Sequence, residues 1–236
     1  MGDFPVRAPG SSRETGDAGG KSGTTRLRIS EIFYSLQGES RTVGFPTVFV
    51  RLTGCPLRCG YCDTEYAFQG GDWMEIDTIL TRVAGHPARF VTVTGGEPLA
   101  QRPCIPLLTA LCDAGYEVSL ETSGALDIAT VDERVSVVMD IKTPGSGEVE
   151  KNLPGNIQHL DANDQVKFVI CDRADYEWSR AQWHALKLGD KCEVLFSPSY
   201  GSLNPVDLAG WILEDHLPVR LQLQLHKLLW GESRGR

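Results

Sequence analysis

The chain has 236 residues, of which 41% are hydrophobic, and a formal net charge of −8. This length is enough for one domain with a substantial core, and the acidic balance gives no electrostatic basis for binding nucleic acid or a membrane surface. No apolar run reaches the ~20 residues that a membrane-spanning helix needs.

Residues 1–25 are rich in Gly, Ser, Thr and charge, and we expect a disordered N-terminal tail. Residues 26–236 form the predicted domain. Runs rich in Val, Ile, Leu, Phe and Thr predict strands at 27–34, 47–52, 90–94, 117–122, 135–142, 165–170, 192–197 and 220–225. Helical patterns lie between them at 74–85, 104–115, 173–189 and 204–216.

The alternation of strands and helices predicts an α/β fold with a mostly parallel sheet. Too few helices are present for a closed eight-fold barrel, so we expect an open, partial TIM-type barrel with outer helices. Ligands bind at the carboxyl ends of parallel strands. Six predicted strands end in polar segments there: the loop after 47–52, Gly95–Pro98, Glu121–Gly124, Asp140–Thr143, Ser197–Gly201, and His226 with Lys227.

Three crowded cysteines, Cys55, Cys59 and Cys62, carry the clearest chemical signal. They cannot all pair as disulfides, and they fall one short of a four-thiolate zinc site. Their C-x3-C-x2-C spacing suits three corners of a 4Fe-4S cubane, whose fourth iron would stay open for a small molecule. A structural zinc that takes a distant Cys or His as its fourth ligand is the alternative.

The remaining cysteines lie in apolar stretches and are predicted to be small buried hydrophobic side chains; they are Cys104, Cys112, Cys171 and Cys192. Seven cysteines, an odd number with three crowded together, argue against a disulfide framework and for a reducing cytoplasm.

The sequence Gly95-Gly96-Glu97-Pro98 directly follows an apolar strand. Its two glycines leave the backbone accessible, so that main-chain groups can bind the amino group of an amino acid. Glu97 would stabilise either this turn or the bound ammonium.

The cysteine loop followed by this turn resembles the radical S-adenosylmethionine (SAM) superfamily. The resemblance implies a 4Fe-4S cluster on the three cysteines, with SAM bound at its open iron. A narrower resemblance, to the 7-carboxy-7-deazaguanine synthase family of queuosine and 7-deazapurine biosynthesis, rests on six segments. These are FYSLQGES (33–40), FPTVFVRLTGCPLRCGYCDTEYAF (45–68), VTVTGGEPLAQ (91–101), SLETSG (119–124), MDIKTPGSGE (139–148) and LQLHKLLW (223–230).

The resemblance also implies roles for individual residues. Arg51 would pair with a substrate carboxylate, which its guanidinium can bind through two hydrogen bonds, and the Thr64 hydroxyl would contact Mg²⁺. The other implied substrate-binding residues are Leu36, Gln37, Gly38 and Thr94. The implied SAM-binding residues are Tyr61, Cys62, Asp63, Gly96, Ser123, Asp140, Ile141, Lys142, Ser197, Pro198, Ser199 and Tyr200.

Two assignments stay open. The aromatic side chain that stacks on the pterin could be Phe33, Tyr34, Tyr66 or Phe68. His226 lies in the last family segment, either near the substrate or as a structural residue at the end of the final strand.

The implied reaction is a radical ring contraction by a carbon–nitrogen lyase, from 6-carboxy-5,6,7,8-tetrahydropterin to 7-carboxy-7-deazaguanine and ammonia. SAM would be used catalytically, with no catalytic residue beyond the cluster and SAM. The implied partners are a flavodoxin-like external electron donor and a second subunit of a homodimer, with no nucleic acid or membrane.

Two other functions fit parts of the sequence. A glycyl-radical activase shares the cysteine loop and the GGEP turn, but it must bind a large protein. The SLQGE segment, Arg51 and the Cys62-Asp63-Thr64 sequence favour a small carboxylated substrate instead. A non-catalytic zinc module would hold one zinc per chain and cleave no SAM.

Overall fold

The computed structural model describes residues 25–231 and 233–236, so nearly all of the predicted tail lies outside the described part of the chain. The strands of the described residues are β1 (Arg26–Leu36), β2 (Pro46–Leu52), β3 (Asp72–Glu75), β4 (Phe90–Gly95), β5 (Glu117–Thr122), β6 (Ser136–Asp140), β7 (Gln165–Ile170), β8 (Glu193–Pro198) and β9 (Arg220–Leu221). The α-helices are α1 (Ile76–Ala84), α2 (Cys104–Asp113), α3 (Arg173–Ala185), α4 (Pro205–Glu214) and α5 (Leu225–Trp230).

One sheet contains all nine strands, in the order β3-β1-β2-β4-β5-β6-β7-β8-β9. Neighbouring strands from β2 to β9 run parallel, whereas β1 pairs antiparallel with both β2 and β3. The two edge strands, β3 and β9, do not pair with each other, so the barrel is open. The predicted partial TIM-type barrel is thereby confirmed.

The two faces of the sheet carry different side chains, with the apolar core on the outer face and the polar side chains on the inner face. Because successive side chains of a strand point to opposite faces, Val48, Val50 and Leu52 of β2 pack with the outer helices α1 and α2. Val166 and Phe168 of β7 pack in a second core cluster, which contains residues of α3 and α4. The alternate residues of these strands point to the inner face, where the polar side chains lie.

Local signals place most helix ends correctly. Pro205 occupies the first position of α4, and the Asn204 side chain before it accepts a hydrogen bond from the Val206 N–H at 3.1 Å. Gly85 caps α1 as expected. Helix α2 ends at Asp113, and Gly115 follows with a φ of +89°, which favours glycine.

Several element predictions are wrong at their ends. The predicted helix 173–189 ends at Ala185, and the predicted strand 135–142 ends at Asp140. The predicted helix 74–85 begins only at Ile76, because Asp72–Glu75 pairs with β1, with Met74 opposite Leu27. The predicted strand 220–225 stops at Leu221. After the Gln222 N–H donates to the Phe196 carbonyl at 2.9 Å, the chain turns towards the loop after β1 and enters α5. Within the described residues, no helix is long and apolar enough to cross a membrane.

Candidate active site

The carboxyl ends of the central strands surround one cavity of about 810 Å³, a volume suited to a cofactor with a small substrate. Nineteen of the twenty predicted site residues line it: Leu36, Gln37, Gly38, Arg51, Cys55, Cys59, Tyr61, Cys62, Asp63, Thr64, Thr94, Gly96, Ser123, Asp140, Lys142, Ser197, Pro198, Ser199 and Tyr200. Ile141 is the exception, since its side chain is buried in the outer core with Ile170.

The three cysteines lie on the loop between β2 and a short 3-10 helix at Glu65–Phe68. All three are half-buried and line the cavity. The loop is fixed from both sides, because the Gly54 N–H donates to the Ala67 carbonyl at 2.8 Å and the Gly60 N–H to the Ser146 carbonyl at 3.0 Å. No helix or strand interrupts the loop, as the short cysteine spacing predicts.

Burial raises the pKa of all three thiols, so binding of a metal group to the thiolates would release protons. Within the described part of the chain, no three His, Cys, Asp or Glu side chains are close enough together to hold a single metal ion.

The turn after β4 lies directly against the cysteine loop. The Glu97 N–H donates to the Gly54 carbonyl at 2.8 Å. A Cβ added at Gly96 would lie 2.3 Å from the Gly54 oxygen and 2.8 Å from the Cys55 Cβ, so only glycine fits there. The backbone of this turn is thus held beside the first cysteine, where a main-chain contact to a ligand is possible.

Glu97 holds the turn rather than facing the cavity. Its carboxylate is fully buried and does not line the cavity. It accepts hydrogen bonds from the Leu99 N–H at 3.0 Å, the Thr122 hydroxyl at 2.9 Å, and the Ser123 N–H at 2.6 Å and hydroxyl at 2.5 Å. Of the two expected roles of Glu97, the structure supports stabilisation of the turn, and it ties the end of β4 to the end of β5.

A charged pair on β6 and the loop after it faces the cysteines. Lys142 Nζ lies 2.8 Å from Asp140 Oδ2 and 5.7 Å from the centre of the Tyr61 ring. Burial opposes the charge of Lys142, but the charge of Asp140, its hydrogen bond to Lys142 and the nearby Cys59 together outweigh burial, so the pKa of Lys142 is raised.

Two buried oxygens beside this pair, Asp140 Oδ1 and the Tyr61 hydroxyl, have no hydrogen-bond partner within the described residues. Buried polar atoms normally have partners. Both residues line the cavity beside the cysteines, so an unsatisfied hydrogen-bonding capacity lies in this wall, as would suit a polar ligand with hydrogen-bond donors such as SAM.

The segment Ser197–Tyr200 completes this side of the cavity at the end of β8. The Ser199 N–H donates to the Ile170 carbonyl at 2.8 Å, which fixes the segment against the end of β7. Tyr200 is 57% exposed at the rim, with Lys227 Nζ 5.5 Å from its ring centre.

The opposite part of the cavity is lined by a polar network on the inner face of the sheet. Gln37 Nε2 donates to the Thr92 hydroxyl at 3.0 Å and to Glu121 Oε1 at 3.3 Å. The Thr94 hydroxyl donates to the other Glu121 oxygen at 2.8 Å. These bonds bring Gln37 and Thr94, two predicted substrate contacts from different strands, around one carboxylate.

Arg51 projects from the inner face of β2, with only 16% of its side chain exposed. Its Nε donates to Glu31 Oε1 at 2.8 Å, and the Tyr66 hydroxyl donates to the same oxygen at 2.7 Å. The guanidinium also packs 5.7 Å from the Phe33 ring centre. Both terminal nitrogens of Arg51 lack a hydrogen-bond partner among the described residues, so they can bind a carboxylate in the cavity.

Thr64 and Asp63 lie beside the third cysteine. The Thr64 hydroxyl donates to Asp63 Oδ1 at 2.8 Å, and both residues line the cavity. Lys227 Nζ approaches the other Asp63 oxygen at 3.5 Å. A hydroxyl and a carboxylate are hard oxygen ligands of the kind Mg²⁺ takes, one or two at a time.

The structure distinguishes among the four aromatic candidates for stacking on the pterin, and it places His226. Phe33 and Phe68 line the cavity, whereas Tyr34 and Tyr66 do not. His226 lies in α5, not at the end of a strand, and lines the cavity. Its ring packs so closely on Gly38 that a Cβ there would lie 2.2 Å from Nδ1.

Sequence reasoning missed Glu39, Lys167 and Cys171 as part of the site, and it placed Glu121 only in a polar segment at the end of a strand; all four line the cavity. Glu121 and Lys167 each interrupt an apolar strand with a charge on the inner face, and this interruption was an available signal. Cys171 was predicted to be buried but is half-exposed to the cavity, as the residue directly after β7. Cys104 is buried as predicted, and Cys112 and Cys192 are half-buried.

Comparisons with known proteins agree with this geometry. The model of the radical SAM superfamily matches residues 49–178. The chain is 48% identical to the 7-carboxy-7-deazaguanine synthase of Chlorobaculum tepidum over 89% of this chain and 97% of that protein. It is 44% identical to the one of Koribacter versatilis, over 89% of this chain and all of that protein. The crystal structure of QueE from Escherichia coli matches with a TM-score of 0.72 and 23% identity, covering 86% of this chain and 96% of that one.

A partial barrel with a three-cysteine loop after β2, together with the family match, defines a radical SAM enzyme, which uses a 4Fe-4S cluster and SAM. Within this superfamily, sequence identities of 48% and 44% over 89% of this chain identify the narrower family. The chain belongs to the 7-carboxy-7-deazaguanine synthase family.

Proposed function

We propose that this chain converts 6-carboxy-5,6,7,8-tetrahydropterin into 7-carboxy-7-deazaguanine and ammonia in the described cavity, with SAM used catalytically. The observation that carries the proposal is the joining of two unlike halves in one cavity. One half is built around the three cysteines, and the other presents Arg51, Thr94 and Gln37 to a small polar substrate.

Cys55, Cys59 and Cys62 would hold the cluster, and the main chain at Gly96 would contact the amino-acid part of SAM. When bound, the cluster and SAM supply one electron and then the radical that removes a hydrogen atom from the substrate. The contributions of the chain are position and exclusion of water. Tyr61, Asp140 and the Ser197–Tyr200 segment line this half of the cavity, and one oxygen each of Tyr61 and Asp140 has no hydrogen-bond partner among the described residues.

The chain would hold the pterin through charge and hydrogen bonds. Arg51 would bind the 6-carboxylate through its two terminal nitrogens, since Glu31 already fixes the orientation of the guanidinium through Nε. Thr94 and the Leu36–Gly38 loop would contact the bicyclic ring, with Phe33 or Phe68 as its stacking partner. The substrate would then be fixed beside SAM, as a radical step between them requires.

Thr64 would contact a Mg²⁺ ion between the cysteine loop and the substrate. Asp63 Oδ1, 2.8 Å from the Thr64 hydroxyl, supplies a second hard oxygen close to the same point. The ion would add positive charge beside the carboxylate that Arg51 binds, and it would orient the substrate during ring contraction.

The proposal extends to partners and compartment. A one-electron reduction requires an external donor, for which a flavodoxin-like protein is proposed, and two subunits would form a homodimer. The free state of all seven cysteines supports function in a reducing cytoplasm.

The test is turnover by anaerobically reconstituted protein with SAM, a strong reductant, Mg²⁺ and 6-carboxytetrahydropterin, with products identified by mass spectrometry. The expected result is 7-carboxy-7-deazaguanine with most SAM unspent. Cleavage of SAM to 5′-deoxyadenosine with an untouched pterin would leave the superfamily in place and refute the substrate.

A further inference from the structure

The gap between the two edges of the open barrel is bridged by the loop after β1. The Leu225 N–H, at the start of α5, donates to the Gly38 carbonyl at 2.9 Å. Gln224 Nε2 donates to Glu39 Oε1 at 2.8 Å. We call Leu36–Glu39 the substrate loop, because its first three residues are the proposed pterin contacts.

The strongest charge contact of this loop comes from the far side of the barrel. Lys167, on the inner face of β7, places Nζ 2.7 Å from Glu39 Oε2. The side chains of Lys167 and Glu39 are only 16% and 13% exposed. Burial opposes the charge of Glu39, but the charge and hydrogen bond of Lys167, with a smaller contribution from the Gln224 hydrogen bond, lower the Glu39 pKa to about 2. The pair is therefore ionised at neutral pH.

Lys167 also lies near the SAM half of the cavity. Three carboxylates, those of Glu39, Asp140 and Glu121, are near enough to interact with its charge, but they do not depend on it equally. Asp140 Oδ2 is 3.9 Å from Lys167 Nζ and only 2.8 Å from Lys142 Nζ, so Asp140 has a closer cation. Glu39 makes no other ion pair within the described residues. Loss of the Lys167 charge would thus affect the substrate loop far more than Asp140.

We propose that Lys167 is a positioning residue that fixes the substrate loop, through Glu39, at the correct place relative to SAM. This inference rests on the proposed function. The Glu39 N–H donates to Gln37 Oε1 at 3.1 Å, and Gln37 in turn contacts Glu121, so a shift of Glu39 moves the pterin-binding side chains together. Lys167 itself touches neither reacting centre in this proposal; it acts through Glu39.

A positioning role predicts a specific kinetic pattern. A misplaced pterin would no longer receive the radical efficiently, whereas reductive cleavage of SAM, which needs only the cysteine half of the cavity, would continue. We define the product ratio as the amount of 7-carboxy-7-deazaguanine formed per 5′-deoxyadenosine released. In Lys167→Met we expect this ratio to fall by at least about tenfold, because a displacement of ~1 Å can cost about 100-fold in rate. The KM for the pterin should rise, and SAM cleavage without substrate should stay within about threefold.

The variants are chosen to separate positioning from misfolding. Lys167→Met leaves a buried, unpaired Glu39 carboxylate, which is destabilising. The double variant Lys167→Met/Glu39→Gln removes both charges and should fold. Its product ratio should still be far below that of wild type. Lys167→Arg keeps the ion pair and should largely restore it. Arg89→Met, which breaks an exposed ion pair with Glu117 far from the cavity, is the matched control.

The measurement is product and 5′-deoxyadenosine, quantified by mass spectrometry on cluster-loaded proteins with equal iron content. A low product ratio in both Met variants, with normal ratios in the Arg variant and the control, is the expected result. If wild type is active and the double variant has the same product ratio and the same KM, the positioning role of Lys167 is refuted while the proposed function stands. A wild type that makes no product would refute the proposed function, and this inference with it.

Discussion

Replacement of Arg51 by alanine tests the substrate half of the cavity most directly. Arg51 lines the cavity, and its Nε is held by Glu31 at 2.8 Å while its two terminal nitrogens have no hydrogen-bond partner among the described residues. Truncation removes both proposed bonds to the substrate carboxylate. The Tyr66 hydroxyl still donates to Glu31 at 2.7 Å, so the surrounding wall keeps one of its contacts.

The expected loss of pterin-binding free energy in Arg51→Ala follows from the burial of the Arg51 side chain. Each charge-assisted hydrogen bond contributes about 1.5–3 kcal/mol when its groups are largely removed from water. The Arg51 side chain is 16% exposed, so the lower figure for two bonds, about 3 kcal/mol, is a fair expectation. Since about 1.4 kcal/mol corresponds to a tenfold change in Kd, Arg51→Ala should weaken pterin binding by about 100-fold.

The assay is anaerobic calorimetric titration of the protein with 6-carboxytetrahydropterin and with tetrahydropterin that lacks the carboxylate. Wild type should distinguish the two ligands by about 100-fold, whereas Arg51→Ala should bind both almost equally, which isolates the pairwise interaction. Cleavage of SAM without substrate should not change. Glu31→Gln, which keeps the guanidinium, is the control and should cost less than about tenfold. A Kd of Arg51→Ala within threefold of wild type would refute the carboxylate contact.

Three further substitutions test other parts of the site. Cys59→Ala should abolish cluster loading and SAM cleavage, measured by iron and sulfide content and by release of 5′-deoxyadenosine, whereas Cys112→Ala should retain both. Gly96→Ala should lose SAM binding, because its Cβ would lie 2.3 Å from the Gly54 oxygen. Its control is Gly155→Ala, where a Cβ meets nothing within 4 Å. Equal SAM affinity in the two variants would contradict the assignment of Gly96. Thr64→Val should raise the Mg²⁺ concentration needed for half-maximal turnover, and an unchanged Mg²⁺ titration would remove Thr64 as a ligand.

The sequence predicted the central strands well because each is an apolar run bounded by turn residues. The boundaries of 117–122 and 165–170 are reproduced in β5 and β7. The predicted strand 135–142 ends at Asp140 and the predicted helix 173–189 ends at Ala185, and two further errors lie at the edges of the sheet. There, pairing of Asp72–Glu75 with β1 overrides the helical pattern, and the last strand is cut short when the chain turns towards Gly38.

The candidate site was predicted where a short local pattern carries the chemistry. The cysteine spacing and the GGEP turn need no knowledge of distant residues, and both lie at the cavity. Glu97 shows the limit of such patterns. The sequence left open whether Glu97 stabilises the turn or binds the ligand. Only the hydrogen bonds from Thr122, the last residue of β5, and from Ser123 after it distinguish the two roles.

By itself, the sequence determined the alternation of strands and helices, the cluster loop and the family. Only the tertiary structure decided which charges meet across the open side of the barrel. Lys167 and Glu39 are 128 positions apart in the chain, and Gln224 and Glu39 are 185 apart. Local sequence patterns encode backbone preference and burial over a few residues, whereas the partner of a buried charge is fixed by how the whole sheet closes.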